Sequence, residues 1–462
     1  MRLGGREIAA ATGAEALAEG AAAPPRRATI DSSQTGHGDL FFGLRGERRD
    51  GGEFAEAALA AGAWGVVVGP GHAAALASSG LAGGAGASAD MAPPAWVFAA
   101  EDPLAAMQRL ARAWRRELGA AVVGVTGSVG KTSVKDIARA LLPGRVHANR
   151  ENLNTEIGLP LTLLEAPDDT ETLVLEMAMR GAGQIAELAE IAEPDVAVIT
   201  NVGPVHVEQM GSVAAIAAEK AAILDSLRSG GTAVVPAEAG ELEPHLGRAG
   251  RLLRFGPGGD VFVVSSRISG GVTEATIATP LGDQRFELPF AEAHNLTNAL
   301  AAIAAGIALG ASPAEMAERA ALGIGFSRFR GERLELRDGI VLVNDCYNAN
   351  PVSMRAALDH LMTLEAPRRL AVLGEMGELG PGAPEYHREA GEHARAVGVD
   401  LVVGVGEPAR EYGPDELVAD PAEAAELLSA HLEPGDVVLI KGSRSAGLEQ
   451  VAEALMEIEG AR

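Results

Sequence analysis

The sequence predicts an α/β protein built of three units, and three observations carry that expectation. The chain has 462 residues, the length of about three domains at ~150 residues each. Apolar strand-like runs alternate with helical runs along most of it, the pattern of parallel sheets with crossover helices. Residues 251–290 break the alternation with short strand-like runs between glycine-rich turns, and read as a β-rich insertion. The expected units are residues 1–100, 101–327 and 328–462.

The first unit reads as a small α/β domain. Its strand runs are Ala28–Ser32, Asp39–Leu44, Gly65–Gly69 and Trp96–Ala99, with a helical run at Phe54, Ala57, Ala58 and Ala61. Residues 78–94 are small, polar and proline-ended, and read as a loop. A helix over Pro103–Leu118 leads into the second unit. There a buried strand, Ala121–Thr126, meets a glycine-rich turn and a helix from Thr132. Further strands are expected at Leu173–Glu176, Val196–Asn201 and Ala233–Val235, and a helix near His294. Ser312-Pro313-Ala314-Glu315 reads as a capping box with proline at the first helical position. The third unit alternates again, with strands at Ile340–Asn344, Leu370–Leu373, Leu401–Val403 and Val437–Ile440.

Composition narrows the function. Lys+Arg 38 against Asp+Glu 63 gives a net charge of −25, which repels nucleic acid and anionic membranes. An anionic substrate must then be met by local cations or helix N-termini. One cysteine, Cys346, rules out an internal disulfide framework and a cysteine-built zinc site. The first residues lack the apolar run of a secretory leader. The charge-free stretch Ala57–Ala89 is broken by Gly69-Pro70-Gly71, so it does not supply the ~20 apolar residues of a membrane span. A soluble cytoplasmic protein is expected.

The sharpest local signal is Thr126-Gly127-Ser128-Val129-Gly130-Lys131-Thr132, between an apolar strand and a helix. Glycines there let backbone N–H groups turn toward phosphate oxygens at the positive end of a helix. Lys131 can reach the β- and γ-phosphates, and the Thr132 hydroxyl can ligate Mg²⁺. Val125 stands where the strict phosphate-loop pattern has its first glycine. Glu176 ends a core strand, where open sheets place their ligands, and offers Mg²⁺ a hard oxygen. His206 follows the strand Val196–Asn201, as a ligand or as a structural histidine. Lys220 shares a helix stripe with Val213, Ile216, Ile223 and Leu227. It points inward, either deprotonated and partnered or with a snorkelling stem. Asn295 and Asn298 share a helix face and either read a base edge or serve the helix. Asp345-Cys346-Tyr347-Asn348-Ala349-Asn350-Pro351 and Lys441-Gly442-Ser443-Arg444-Ser445 are polar loops after strands.

Together these pieces resemble the Mur ligase family of ATP-dependent amide-forming enzymes of cell-wall synthesis. The resemblance takes in Thr126–Thr132, Asn152-Leu153-Asn154, Ile157-Gly158, Glu176, His206, Lys220, His294-Asn295, Asn298, Arg333 and Lys441–Ser445. In the first unit it takes in Asp31-Ser32, Gly38-Asp39-Leu40-Phe41, Gly46-Glu47-Arg48 and Asp50-Gly51. The Asp345–Pro351 loop, with Ser353-Met354, resembles the member that adds a dipeptide. So do Val372–Gly380 and the closing Lys441–Ser445 loop. Two departures stand out: Ser33 replaces the usual arginine, and Ala291-Glu292-Ala293 replaces the usual Gly-Arg before His-Asn.

The resemblance implies a central ATPase-like sheet and a Rossmann-like, doubly wound C-terminal domain. It implies ATP and Mg²⁺ as cofactors, with Thr132, Glu176, His206 and a CO₂-derived carbamate on Lys220 around the metal. Lys131, Glu176, His206 and Lys220 would be catalytic. Thr126–Thr132, Asn295, Asn298, Arg333 and Asp345 would hold ATP. Asp31, Ser32, Gly46, Arg48, Asn152, Asn154, Tyr347, Asn348, Asn350, Lys441, Ser443 and Arg444 would hold substrates. Those substrates would be a UDP-MurNAc-tripeptide and D-alanyl-D-alanine, joined through an acyl phosphate by a monomer. A folylpolyglutamate-type ligase shares the phosphate loop but does not account for the Asp31–Gly51 matches. A nucleotide-hydrolysing binding protein does not account for Glu176, Lys220 and two flanking domains.

Overall fold

A computed structural model describes residues 1–79, 94–150, 152–205 and 207–459. Most of the expected loop at residues 78–94, and His206, lie outside these. Strands β1 (Glu15–Ala18), β2 (Ala28–Thr29), β3 (Leu40–Phe42), β4 (Gly65–Val68) and β5 (Trp96–Ala99) form one sheet, ordered β1-β5-β4-β3-β2. Only β1 runs antiparallel to its neighbour. The helix Gly5–Thr12, the strand β1 and the helix Pro70–Ser78 escaped the sequence reading. The exposed edge strand β1 has four residues, too few to show alternation. The helix Pro70–Ser78 starts at the proline taken for a breaker, because proline fits the first helical position.

The central sheet holds β6 (Ala121–Thr126), β7 (Val146–Ala148), β8 (Thr172–Glu176), β9 (Val196–Ile199), β10 (Thr232–Pro236) and β11 (Arg251–Phe255). All are parallel, in the order β11-β10-β9-β6-β8-β7. Alternate residues feed opposite cores. Val123, Val125, Val174 and Val198 pack on the helix Ala293–Ala308 side. Val122, Leu173, Leu175 and Ile199 pack on the Pro103–Leu118 side. Burial on both faces explains the unbroken apolar runs that marked these strands.

The expected β-rich insertion needs correcting at its start. β11 continues the parallel sheet, and only β12 (Phe262–Ser269), β13 (Val272–Ala278) and β14 (Gln284–Leu288) form a separate antiparallel sheet. The capping box at Ser312 also does not form. Pro313 opens the helix, but the Ser312 side chain makes no capping bond.

The last sheet holds β15 (Glu332–Glu335), β16 (Val341–Asn344), β17 (Arg369–Leu373), β18 (Leu401–Val405), β19 (Glu416–Val418) and β20 (Val437–Lys441). Its order is β15-β16-β20-β17-β18-β19, parallel except for β15. The chain enters this sheet through a fastened segment. Asp136, on the helix Lys131–Leu141, accepts a hydrogen bond from Ser327 N at 2.8 Å. The neighbouring Lys135 ammonium is buried, pairs with Asp136 at 3.1 Å and bonds the Asn149 carbonyl at 3.0 Å. Among the described residues, no helix is long and apolar enough to cross a membrane.

Candidate active site

Three carboxyl ends of the central sheet, β6, β8 and β9, converge beside the N-terminus of the helix Lys131–Leu141. Open sheets bind ligands at such crossings. The Thr126–Thr132 loop leaves β6 and is held from β9. Thr200 Oγ1 donates to the Val129 carbonyl at 2.5 Å, and Asn201 Oδ1 accepts from Val129 N at 3.0 Å. Ser128 and Gly203 exchange hydrogen bonds, at 2.9 and 3.1 Å. The glycines are required by space. A Cβ on Gly127 would lie 1.9 Å from Thr200 Oγ1, and one on Gly130, at φ +82°, would lie 2.4 Å from Asn298 Oδ1. Thr126 is buried and its hydroxyl has no partner.

Lys131 folds back over this loop and donates to the Gly127 carbonyl at 2.8 Å. Burial lowers its pKa; Glu176 opposes the shift and Arg330 adds to it. Glu176 is 2% exposed at the end of β8. It accepts from Thr132 Oγ1 at 2.8 Å and from Asn154 Nδ2 at 2.9 Å. Its backbone is clasped by Asn149, which accepts from Glu176 N and donates to Glu176 O, each at 2.9 Å. Asn152 is exposed. Asn149 was missed because a buried amide at a strand end has no local signature.

Thr132 and Glu176 bring two hard oxygen donors together, and the carboxylate has only neutral hydrogen-bond donors. That arrangement fits Mg²⁺. Among the described residues no group of three or more His, Cys, Asp or Glu could hold a metal ion, so a metal here would draw on hydroxyl, phosphate or water oxygens. Lys220 is 2% exposed, as the helical stripe requires. Burial first, then the Lys131 charge, push its pKa well below the ordinary lysine value.

The opposite wall comes from the third unit. Arg330 donates to Thr132 Oγ1 at 3.1 Å and stacks on the Tyr347 ring at 3.9 Å. Arg333, the arginine expected here from the sequence, lines a neighbouring cavity of about 280 Å³ with Glu292, Asn295 and His360. The two arginines stand three apart around Gly331, whose φ of +72° turns the chain between them. Asp345 and Lys441 form a 2.6 Å ion pair, and Lys441 also donates to the Asn348 carbonyl at 3.1 Å. Both line a cleft of about 290 Å³ with Ser128–Thr132, His294, Asn295, Asn298 and Asn348.

Several expected ligand residues carry structural bonds. Asn350 caps the helix Pro351–Thr363 by accepting from Ser353 N at 2.9 Å. Ser443 Oγ accepts from Gly377 N at 2.8 Å, tying two loops. Arg444 is exposed and pairs with Glu449 at 3.1 Å. Asn298 donates to Asn295 Oδ1 at 3.2 Å, so the two amides engage each other. In the first unit, Asp31 accepts from Ser33 N at 2.9 Å, Ser33 Oγ at 2.6 Å and Gln34 Nε2 at 2.8 Å, shaping the turn around Ser32. Gly46 and Arg48 are exposed on a loop. None of these four N-terminal residues lines the cleft.

Comparison with known proteins agrees with this geometry. Residues 125–306 match the Mur ligase middle domain, and residues 329–444 match the Mur ligase glutamate ligase domain. A UDP-N-acetylmuramoyl-tripeptide–D-alanyl-D-alanine ligase of Synechocystis sp. is 36% identical over 91% of this chain and 89% of its own length. A crystal structure of MurF from Acinetobacter baumannii superposes with a TM-score of 0.85 at 27% identity, covering 99% of each chain. MurF ligase from Thermotoga maritima, solved in complex with ADP, gives a TM-score of 0.80 at 30% identity, over 94% of this chain and 97% of that one. The phosphate loop facing Glu176 and similarity along nearly the whole length lead to one conclusion: the chain belongs to the Mur ligase family.

Proposed function

We propose that this chain is an ADP-forming, ATP-dependent amide ligase that joins D-alanyl-D-alanine to the terminal carboxylate of UDP-MurNAc-tripeptide. The product is the UDP-MurNAc-pentapeptide of peptidoglycan synthesis, made in the cytoplasm. One observation carries the reading. A phosphate loop and a cationic wall from the third unit line one cleft, and Thr132 of that loop bonds the buried Glu176 carboxylate behind it. The Synechocystis relative bears the name of this activity over nine-tenths of the chain.

A carboxylate is a poor electrophile, so the tripeptide carboxylate first attacks the γ-phosphate of ATP and ADP leaves. The reactants are anionic, and Lys131 and Arg330 offset the charge that builds in the transition state. Mg²⁺, when bound by Thr132 and Glu176, supplies further charge neutralisation at the phosphates. The dipeptide amine then attacks the acyl phosphate, and phosphate leaves from the tetrahedral intermediate. Asp345 holds the nucleotide from the third unit, with Asn295 and Asn298 on the opposite wall. Asp31, Ser32, Gly46 and Arg48 hold the UDP end in the domain of residues 1–100. The Tyr347–Asn350 and Lys441–Arg444 loops of the domain of residues 328–462 face the dipeptide. The domain of residues 101–327 carries the chemistry.

Lys220 carries a carbamate in this reading. Burial and the Lys131 charge make the Lys220 amine easier to deprotonate; the free amine can take up CO₂, and the resulting anion would face Lys131. Its charge suits the cluster better than a second ammonium does. Lys220→Ala then loses activity while remaining folded, and formate or acetate restores part of it where chloride does not. Lys220→Arg stays inactive, because a guanidinium cannot form the carbamate. Arginine working as well as lysine would end the carbamate proposal. Phosphate release tests the whole reaction. It is expected at the full rate only with ATP, UDP-MurNAc-tripeptide and D-alanyl-D-alanine together, and full release without the dipeptide would overturn the ligase reading.

A further inference from the structure

Glu292 stands immediately before the helix Ala293–Ala308, at its N-cap position, yet its side chain makes no capping bond. The carboxylate turns to the cleft instead and lines both cavities there. One oxygen lies 3.5 Å from His360 Nε2, and the other accepts from Asn295 Nδ2 at 3.3 Å. Six residues further along, Asn298 abuts Gly130 of the phosphate loop. At ~1.5 Å of rise per residue, Glu292 is about 9 Å along the helix from that contact. This matches the run from the phosphates of a bound nucleotide to the far edge of its base.

The amides nearer the phosphates form a chain that leads to Glu292. Asn298 Nδ2 donates to Asn295 Oδ1, and Asn295 Nδ2 donates to Glu292. The charged group at the base end of this wall is the Glu292 carboxylate. A carboxylate offers only acceptors, with lone pairs beyond the one Asn295 uses. It can take a hydrogen bond from an amino group and repels a carbonyl oxygen. We propose that Glu292 sets the base specificity of the nucleotide site: it accepts a hydrogen bond from the 6-amino group of an aminopurine and turns away 6-oxopurines. The proposal rests on the ATP reading above, and it gives a role to a residue of the Ala291-Glu292-Ala293 segment that departs from the usual Gly-Arg. Discrimination of this kind combines a gained contact with a repulsive one against the competitor.

The test is calorimetric binding of three triphosphates with Mg²⁺ to the full chain: ATP, purine riboside triphosphate, which has hydrogen at position 6, and ITP, which has oxygen there. The unsubstituted protein is expected to bind ATP about 10- to 100-fold more tightly than purine riboside triphosphate, the worth of one hydrogen bond to a charged group. ITP is expected to bind more weakly still. In Glu292→Ala, ATP should fall to the level of purine riboside triphosphate, ITP should rise toward both, and purine riboside triphosphate should bind as before. An unchanged ATP-to-ITP ratio in this variant overturns the proposal. Should the alanine variant lose all three ligands, the isosteric Glu292→Gln decides. Its amide can donate to O6, so a ratio shifted toward one supports the proposal and an unchanged ratio overturns it. Failure of the unsubstituted protein to bind any of the three overturns the nucleotide reading itself, a separate outcome.

Discussion

Arg330 and Glu176 meet at one hydroxyl. Thr132 Oγ1 donates to the Glu176 carboxylate at 2.8 Å and accepts from the Arg330 guanidinium at 3.1 Å. A side chain of the phosphate-loop helix is thus contacted from the central sheet and from the unit that covers it. Both charged partners sit within reach of the phosphates that the loop would hold.

Arg330→Ala is expected to lower kcat/KM for ATP by about 10²-fold or more, the scale of losing a preorganised charge at the reacting centre. Arg330→Lys should recover little, because the planar stack on Tyr347 is lost. Arg333→Ala, one strand position into β15, should cost only a few-fold. Steady-state kinetics on the three variants checks this, and equal losses at 330 and 333 would refute the assignment.

Glu176→Gln keeps the shape, can still accept from Asn154 and would donate to Thr132 Oγ1 where the carboxylate accepted, and it removes the charge. The concentration of Mg²⁺ giving half-maximal turnover should rise at least about tenfold, since a hard cation prefers an anionic oxygen. Thermal melting should barely move. An unaltered Mg²⁺ dependence would remove Glu176 from the metal site.

Gly130→Ala combines a positive φ with a collision at Asn298. Strain of this kind costs about 1–3 kcal/mol, and the loop can relieve it only by moving away from the helix Ala293–Ala308. Nucleotide affinity, read by calorimetry, should therefore fall more sharply than the melting temperature.

Acid should loosen the third unit through His387. Its Nδ1–H donates to the Ala383 carbonyl at 2.6 Å, and its Nε2 accepts from Met376 N at 2.9 Å, so the ring must stay neutral. Burial holds its folded pKa below the ordinary 6.5. The unfolded chain thus binds more protons as pH falls below about 6.5, and stability present above that pH is lost. His147, His294 and His360 are shifted in the same direction, each chiefly by burial. Melting temperature should decline from pH 7.5 to 5.5, and His387→Gln should flatten the decline. An identical slope in the variant would exclude this ring as a contributor.

The sequence showed the phosphate loop because glycine, lysine and threonine stand in a fixed local order between a strand and a helix. It showed Lys220 because a charge interrupts an apolar stripe. It did not show which of Arg330 and Arg333 bonds Thr132, since a single turn at Gly331 decides that. Nor did it show Asn149, whose bonds reach 27 residues along the chain. The short edge strands β1 and β19 bury too little to leave a periodic trace.

The fastening of Ser327 to Asp136 has a mechanical consequence. Ser327 lies three residues before Arg330, a reach of about 10 Å when extended. Arg330 precedes β15, Asp345 follows β16 and Lys441 ends β20, the three adjacent strands on the fastened edge of the sheet. β19 is five strands from that edge, about 24 Å away at ~4.8 Å per strand. The fastened edge therefore behaves like the hinge side of a door. A swing about it would carry Gly380, which follows β17, three strands from that edge, and lies against Glu208 of the central unit, farther than Arg330. Such a swing would open the space beside Gly380 more than the space beside Arg330.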